Sequence, residues 1–254
     1  LYYKFINKMK KKFLNLVSKS IRKAIGKGIH KLHEPSFSKK ELKYVSNTIK
    51  TKFVSSAGKY VIDFEKKFKN YVKSKNAIAT VNGTQALFIS LVACGVKQND
   101  EVLVPALTFV GTVNAINNSG ARPHFVDSEI NSLGIDCLKL NKYLENISIM
   151  RNGKCINKFT KNHIKAIVPV HIFGHSCDIY GVLKIAKKFK LKVIEDAAEA
   201  LGSFNKKKHL GTFGDIGCFS FNGNKIVTTG GGGMVVSNNK NLANKIKHLT
   251  TTAK

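Results

Sequence analysis

The sequence predicts an α/β protein in which a mostly parallel seven-stranded sheet lies between helices. Three observations carry that expectation. From Asn76 onward, short strand-like runs alternate with helix-patterned ones, the order that builds βαβ units. The run "IKAIVPVH" (164–171) is nearly continuous in apolar residues, as a strand buried on both faces requires. The helix-patterned pieces close on Gly or Asn-rich turns, the usual stop signals. With 254 residues, 43% of them hydrophobic, the chain can bury one substantial core.

Each element follows in order. The stretch "YYKFINKMKKKFLNLVSKSIRKAI" (2–25) repeats apolar residues at helical spacing with lysines opposite. It reads either as an amphipathic helix packed on the domain or a second subunit, or as a membrane-surface or targeting helix. A first unit of residues 1–33 is therefore set apart from a domain spanning 34–254. "AIATV" (77–81) is a strand, and "GTQALFISLVACG" (83–95) opens a helix that ends at Gly95. "EVLVP" (101–105) is the second strand, "GTVNAINNSG" (111–120) a short helix, and "RPHFVD" (122–127) the third strand. A lysine- and asparagine-rich insert around 141–163 is expected to be a solvated excursion. After "IKAIVPVH" comes the helix "DIYGVLKIAKKFK" (178–190), with Ile179, Val182, Leu183 and Ile185 or Ala186 toward the sheet. "LKVIEDA" (191–197), "GCFSF" (217–221) and "GMVVS" (233–237) complete seven strands. "NLANKIKHLTTTAK" (241–254) is a further helix pattern.

Charge is the anomaly of composition: 43 Lys+Arg against 15 Asp+Glu, a formal +28. That raises nucleic acid or an anionic membrane as a partner. The charge is almost all lysine and runs along the whole chain, whereas readers of base edges favour arginine, so no specific nucleic acid is expected. Five separated cysteines (Cys94, Cys137, Cys155, Cys177, Cys218) form no CxxC pair. Reduced thiols, no metal centre and a cytoplasmic location are the expectation. No apolar run approaches the roughly 20 residues of a transmembrane segment.

In open α/β sheets, ligands gather past the carboxyl ends of the strands. After "AIATV" come Asn82-Gly83-Thr84-Gln85 at a helix start, where amides and the helix dipole attract phosphate; Thr84 serves equally as a helix cap. After "EVLVP" comes Phe109, a surface for a flat ligand or a core residue. After "LKVI" come Glu195, Asp196 and Glu199, carboxylates that burial penalises unless a cation answers them. In "CFSFNGNKIVTTGGGGMV" (218–235), Ser220 offers a hydroxyl and Lys225 a lone amine in a tight, small-residue loop. One ligand answers all of these: a flat, cationic, phosphate-bearing aldehyde, pyridoxal 5'-phosphate. The phosphate goes to Gly83, Thr84 and Ser220, an aromatic covers the ring, a carboxylate pairs with the ring nitrogen and a lysine meets the aldehyde. Gly230–Gly233 allow the main chain to pass close to substrate or a neighbouring subunit, or form a flexible turn. His171 and His175 lack metal spacing and either touch substrate or fill a strand end.

The segments "LHEPSFSKKELKYV…FVSSAGKYVIDFEKKF", "NGTQAL", "VPALTFVGTVNAI", "PVHIFGHSCDI", "IEDAAEALGS" and "GDIGCFSFNGNKIVTTGGGGMV" occur in order. Together they resemble the DegT/DnrJ/EryC1/StrS sugar aminotransferases, from about Leu32 to the end. The opening and the glycine-rich segment are most similar to the branch acting on nucleotide-linked 4-keto-6-deoxy sugars in legionaminic-acid-type pathways. The resemblance implies the large domain of the type I aminotransferase fold, with the smaller C-terminal domain missing or truncated. It implies Lys225 as the Schiff-base lysine and Asp196 facing the pyridine nitrogen. Glu199 stands near the ring hydroxyl, where the family often has Gln or His, and Phe109 stacks on the ring. Thr84 and Ser220, with backbone at Gly83 and Gln85, hold the phosphate. A sister group of sugar dehydratases has histidine in place of the lysine; Lys225 therefore points to transamination. Glutamate is the implied amino donor, a nucleotide sugar the acceptor, and a homodimer the implied assembly once a C-terminal domain is supplied. A short chain of this kind reads as a fragment, one half of a split enzyme, or a cofactor-binding relative without turnover.

Overall fold

The computed structural model describes residues 2–31, 33–55 and 58–251, with side chains from residue 7 onward. The chain divides into two compact units, Leu1–Glu34 and Pro35–Lys254. The first contains one long helix, α1 (Tyr2–Ile25).

The second unit begins with α2 (Lys39–Thr51) and α3 (Lys59–Val72), followed by β1 (Asn76–Thr80), α4 (Gly83–Ala93), β2 (Glu101–Pro105), α5 (Val110–Asn118) and β3 (Arg122–Val126). Next come α6 (Cys137–Ile147), the hairpin β4 (Ser148–Arg151) and β5 (Lys154–Asn157), β6 (His163–Ile167), α7 (Ile179–Phe189) and β7 (Lys192–Asp196). A small hairpin, β8 (Phe204–Asn205) and β9 (Lys208–His209), precedes β10 (Ile216–Ser220), β11 (Gly233–Ser237) and α8 (Lys240–Thr251).

The main sheet has nine strands: seven run β1-β11-β10-β7-β6-β2-β3, those expected from the sequence, and the β4–β5 hairpin adds two more through the antiparallel pairing of β5 with β6. Only β11 is antiparallel to its neighbours β1 and β10 along this path. The physical reason is its connection: a loop of twelve residues, 221–232, joins β10 to β11, and a direct return without a crossover helix gives antiparallel pairing. Helices cover both faces. On one face, Leu87 and Leu91 of α4, Ile116 of α5 and Ile246 of α8 pack on Val102, Val104, Ile194 and Val235. On the other, Leu144 of α6 and Ile179, Val182 and Phe189 of α7 pack on Leu103, Ile167 and Val193. Phe68 of α3 extends that second layer over Phe219, with ring centroids 5.0 Å apart.

Two local expectations need correction, and two helices, α2 and α3, were not read from the sequence. The insert around 141–163 is not a solvated excursion: it holds most of α6 and the β4–β5 hairpin, with Leu144, Ile147 and Cys155 buried. Leu140, Leu144 and Ile147 recur at helical spacing, and that periodicity outweighs the surrounding lysines. Asn82, rather than Thr84, caps α4, its side chain accepting from the Gln85 amide at 2.8 Å. At the start of α2, Ser38 and Glu41 form a capping box.

Candidate active site

The carboxyl ends of β1, β2, β6, β7 and β10 open onto a cleft of about 480 Å³. Strand alternation decides which side chains enter it. In β7, Ile194 packs beneath α4 and α5, so Asp196, two residues on, points to that same face. Glu195 points to the opposite face, fully buried, and accepts from His171 Nε2 at 3.0 Å. It also accepts the amides of Gly211 at 2.9 Å and of Phe213 and Gly214 at 2.6 Å each. The two adjacent carboxylates therefore have different jobs. Glu195 holds the 211–214 loop and His171 together; Asp196 forms the floor of the cleft.

Asp196 is buried, and its own partners are neutral. Thr112 Oγ1 donates to Oδ2 at 2.7 Å and the Ala198 amide to Oδ1 at 3.1 Å. Thr108 Oγ1 in turn donates to Thr112 Oγ1 at 2.9 Å. Burial raises the Asp196 carboxyl above the usual range, offset in part by the Thr112 and Ala198 bonds and by the charges of His171 and Lys225. A buried carboxylate with its affinity for protons raised is a receptor for a ligand cation. Thr112 and Thr108 were missed in the sequence; their i, i+4 spacing at the start of a helix after a buried strand is the signal that marks them.

Alternation in β10 works the same way. Phe219 and Phe221 turn into the aromatic cluster with Phe68, whereas Cys218 faces Ser90 of α4 at 3.3 Å. Ser220, two residues beyond Cys218, thus arrives beside Gly83 at the N-terminus of α4. A Cβ built on Gly83 would lie 2.8 Å from Ser220 Cβ and 3.3 Å from its Oγ. A Cβ on Gly111 would lie 2.8 Å from Thr84 Oγ1 and 3.1 Å from the Phe109 ring. The two glycines therefore keep a cradle between two hydroxyls at a helix N-terminus, the place where phosphate binds. Phe109 lines the same cleft and is 75% exposed, free to cover a flat ligand.

The loop after β10 folds tightly over buried Phe221, which accepts at its carbonyl from the Thr229 amide at 3.0 Å. Lys225 sits at the bend, its amide bonded to the Asn222 carbonyl at 3.0 Å, and Nζ reaches Glu199 Oε1 at 2.9 Å. The other carboxylate oxygen of Glu199 accepts from the Phe173 amide at 3.1 Å. Phe173 has a left-handed φ of 51° and an exposed ring at the cleft mouth. That wall, like Thr112, was not anticipated.

The structure thus brings Gly83, Thr84, Phe109, Asp196, Glu199, Ser220 and Lys225 around one cleft. It does not bring Gln85 there: its amide is bonded to the Asn82 side chain that caps α4, and Gln85 is not among the residues lining the cleft. The close approach of the glycine run is to the chain itself, since a Cβ on Gly233 would strike the Asn82 carbonyl. His171 lines the cleft but is committed to Glu195, and exposed His175 lies outside the lining.

The residues fit pyridoxal phosphate by their donor set: hydroxyls and helix amides for phosphate, a buried carboxylate for the ring nitrogen, and one amine for the aldehyde. Known proteins agree. The chain is 42% identical over 218 residues to a GDP-perosamine synthase of Escherichia coli O157:H7, a match covering 86% of this chain and 56% of that protein. It superposes on an aminotransferase from Psychrobacter cryohalolentis with a TM-score of 0.73 at 35% identity, covering 84% of this chain and 50% of the other. It superposes likewise on NtdA of Bacillus subtilis, solved with bound cofactor PMP (pyridoxamine phosphate), with a TM-score of 0.69 at 30% identity, covering 87% and 49%. The chain spans about half the length of the relatives it matches. Residues 35–253 match the DegT/DnrJ/EryC1/StrS aminotransferase family, and with the lysine, buried aspartate and hydroxyl cradle gathered in one cleft, the chain belongs to that family.

Proposed function

We propose that this chain carries the cofactor-binding half of an aminotransferase that moves an amino group from an amino acid to a keto group of a nucleotide-linked sugar. The observation that carries the reading is the shared cleft of Lys225, Asp196 and the Gly83–Ser220 cradle. Pyridoxal phosphate, when bound, supplies the carbonyl that takes up and passes on the amino group and the electron sink that tolerates negative charge on carbon.

The chain's own residues do the rest. Thr84 and Ser220 bind the phosphate through their hydroxyls, and the first-turn dipole of α4 adds to their hold. Phe109 covers one face of the ring and excludes water from it. Asp196 holds a proton at the ring nitrogen; a cation placed against this buried carboxylate favours its ionised form and offsets the burial that raises it. Thr112 and Ala198 keep the carboxylate aimed. Glu199 holds the Lys225 amine inside the cleft and stands as its nearest proton acceptor, at 2.9 Å. Lys225 then serves as nucleophile toward the cofactor and as the base that moves a proton at the substrate carbon.

Glutamate as donor and a 4-keto-6-deoxy sugar as acceptor follow from the family resemblance. The perosamine relative favours a GDP-linked acceptor. The opening and glycine-rich segments favour a legionaminic-type one. A cytoplasmic homodimer belongs to the same proposal.

The test is a two-stage one on the purified chain. Incubation with pyridoxal phosphate and borohydride should give a reduced pyridoxyl adduct that peptide mass mapping assigns to Lys225, absent in Lys225→Ala. Glutamate added before reduction should convert bound cofactor to its amine form. No adduct at Lys225 would overturn the cofactor assignment. An adduct without conversion by any amino acid would favour the reading of a cofactor-binding relative without turnover.

A further inference from the structure

The segment Leu1–Glu34 is a compact unit of its own and precedes the family match, which begins at residue 35. It holds ten Lys or Arg residues and a single acid, Glu34. On α1, charge and apolarity are segregated around the axis. Met9, Phe13, Leu16, Val17 and Ile21 follow helical spacing on one side. Lys8, Lys11, Lys12, Lys19, Arg22 and Lys23 occupy the other, and Lys10 interrupts the apolar side between Val17 and Ile21. On the apolar side Met9 is 58%, Phe13 65% and Leu16 63% exposed.

We propose that α1 is an amphipathic anchor that lies on an anionic lipid surface, apolar face in the acyl boundary and lysines at the headgroups. Four occupants compete for such a face, the chain's own body included, and charge separates them. Residues 35–254 carry 33 Lys or Arg against 14 acids, so the body repels the lysine side as a second copy would. A second copy of the helix would cover the apolar strip but would bring a second set of eight cations within a Debye length, about 8 Å at physiological salt. Nucleic acid would neutralise the lysines and leave Met9, Phe13 and Leu16 in water. An anionic bilayer satisfies both faces at once. The helix lies on the surface rather than crossing it, since among the described residues no helix is long and apolar enough to span a membrane.

The experiment is co-sedimentation of the full chain with vesicles of phosphatidylcholine alone and of phosphatidylcholine mixed with phosphatidylserine. Binding is expected to the mixed vesicles only and to weaken steeply with salt. Lys8→Gln with Lys19→Gln should weaken it about 30-fold, from the loss of two surface cations. Phe13→Asp with Leu16→Asp should abolish it while leaving the Lys225 adduct, and hence the folded body, unchanged. Three results would overturn the proposal: equal binding to neutral vesicles, a Phe13- and Leu16-dependent dimer in light scattering without vesicle binding, or duplex DNA binding that the Phe13 and Leu16 variant retains while vesicles are ignored.

Discussion

Replacing Gly83 by Ala tests the phosphate cradle directly. The added Cβ would sit 2.8 Å from Ser220 Cβ, against the ~3.5–4.0 Å at which two carbons are in favourable contact. Something must move by about 1 Å. β10 is held on both sides, by β7 and β11, so the N-terminal turn of α4 yields more readily than Ser220 does. Forcing a methyl into a packed contact costs about 1–3 kcal/mol. If that strain is relieved by opening the cradle, pyridoxal phosphate binding weakens about 5- to 150-fold, at tenfold per 1.4 kcal/mol. The assay is a cofactor titration run in parallel with pyridoxal, which lacks the phosphate. Gly83→Ala should lose most of the preference for the phosphorylated form, while Gly223→Ala, with nothing within 4 Å of its Cβ, should keep it. Equal loss for both ligands, or no loss for either, would refute the assignment of phosphate to the Gly83–Ser220 gap.

The remaining predictions concern the carboxylates. Thr112→Val removes a donor that holds the Asp196 carboxyl down, so that carboxyl rises further and the acid limit of cofactor binding moves to higher pH; the pH profile of the dissociation constant reads this. Glu195→Gln leaves at least one of the Gly211, Phe213 and Gly214 amides facing a donor. It should destabilise the fold by about 1–3 kcal/mol in urea unfolding, with the Lys225 adduct still forming below the transition. Glu101 is subject to burial, which raises its carboxyl, but hydrogen bonds from His124, Thr160 and Asn157 outweigh this and hold it at about 2. A depressed carboxyl stabilises the fold above its ordinary range and loses that contribution as pH falls toward about 2. Glu101→Gln should therefore flatten the acid end of the stability curve without altering the cleft.

The sheet was legible because buried strands and covering helices obey periodicities that a linear sequence displays. All seven main strands fall where their apolar runs lie. Lys225 was legible for a different reason: an amine amid small and apolar residues is conspicuous in a chain that otherwise spreads lysine over polar surface. The adjacent pair Glu195 and Asp196 shows the limit. Their order along the chain says that they face opposite ways, but not which face holds the cleft; that depends on α4 and α5 covering one side of β7 and the 211–214 loop the other. Gln85 shows the same limit in the backbone. Three consecutive residues could each have offered an amide to phosphate, and only the turn of Asn82 decided which amide the cap consumed.

By itself the sequence determined the layered α/β architecture, the chemistry on offer and the segregation of charge on α1, since these rest on residue type and short-range spacing. Tertiary structure alone decided which hydroxyls meet, which carboxylate is buried with neutral partners, and that Glu199 ties Lys225 to the Phe173 turn. Those are contacts between residues far apart in the chain, set by how strands are ordered in the sheet and by what each face must exclude from water.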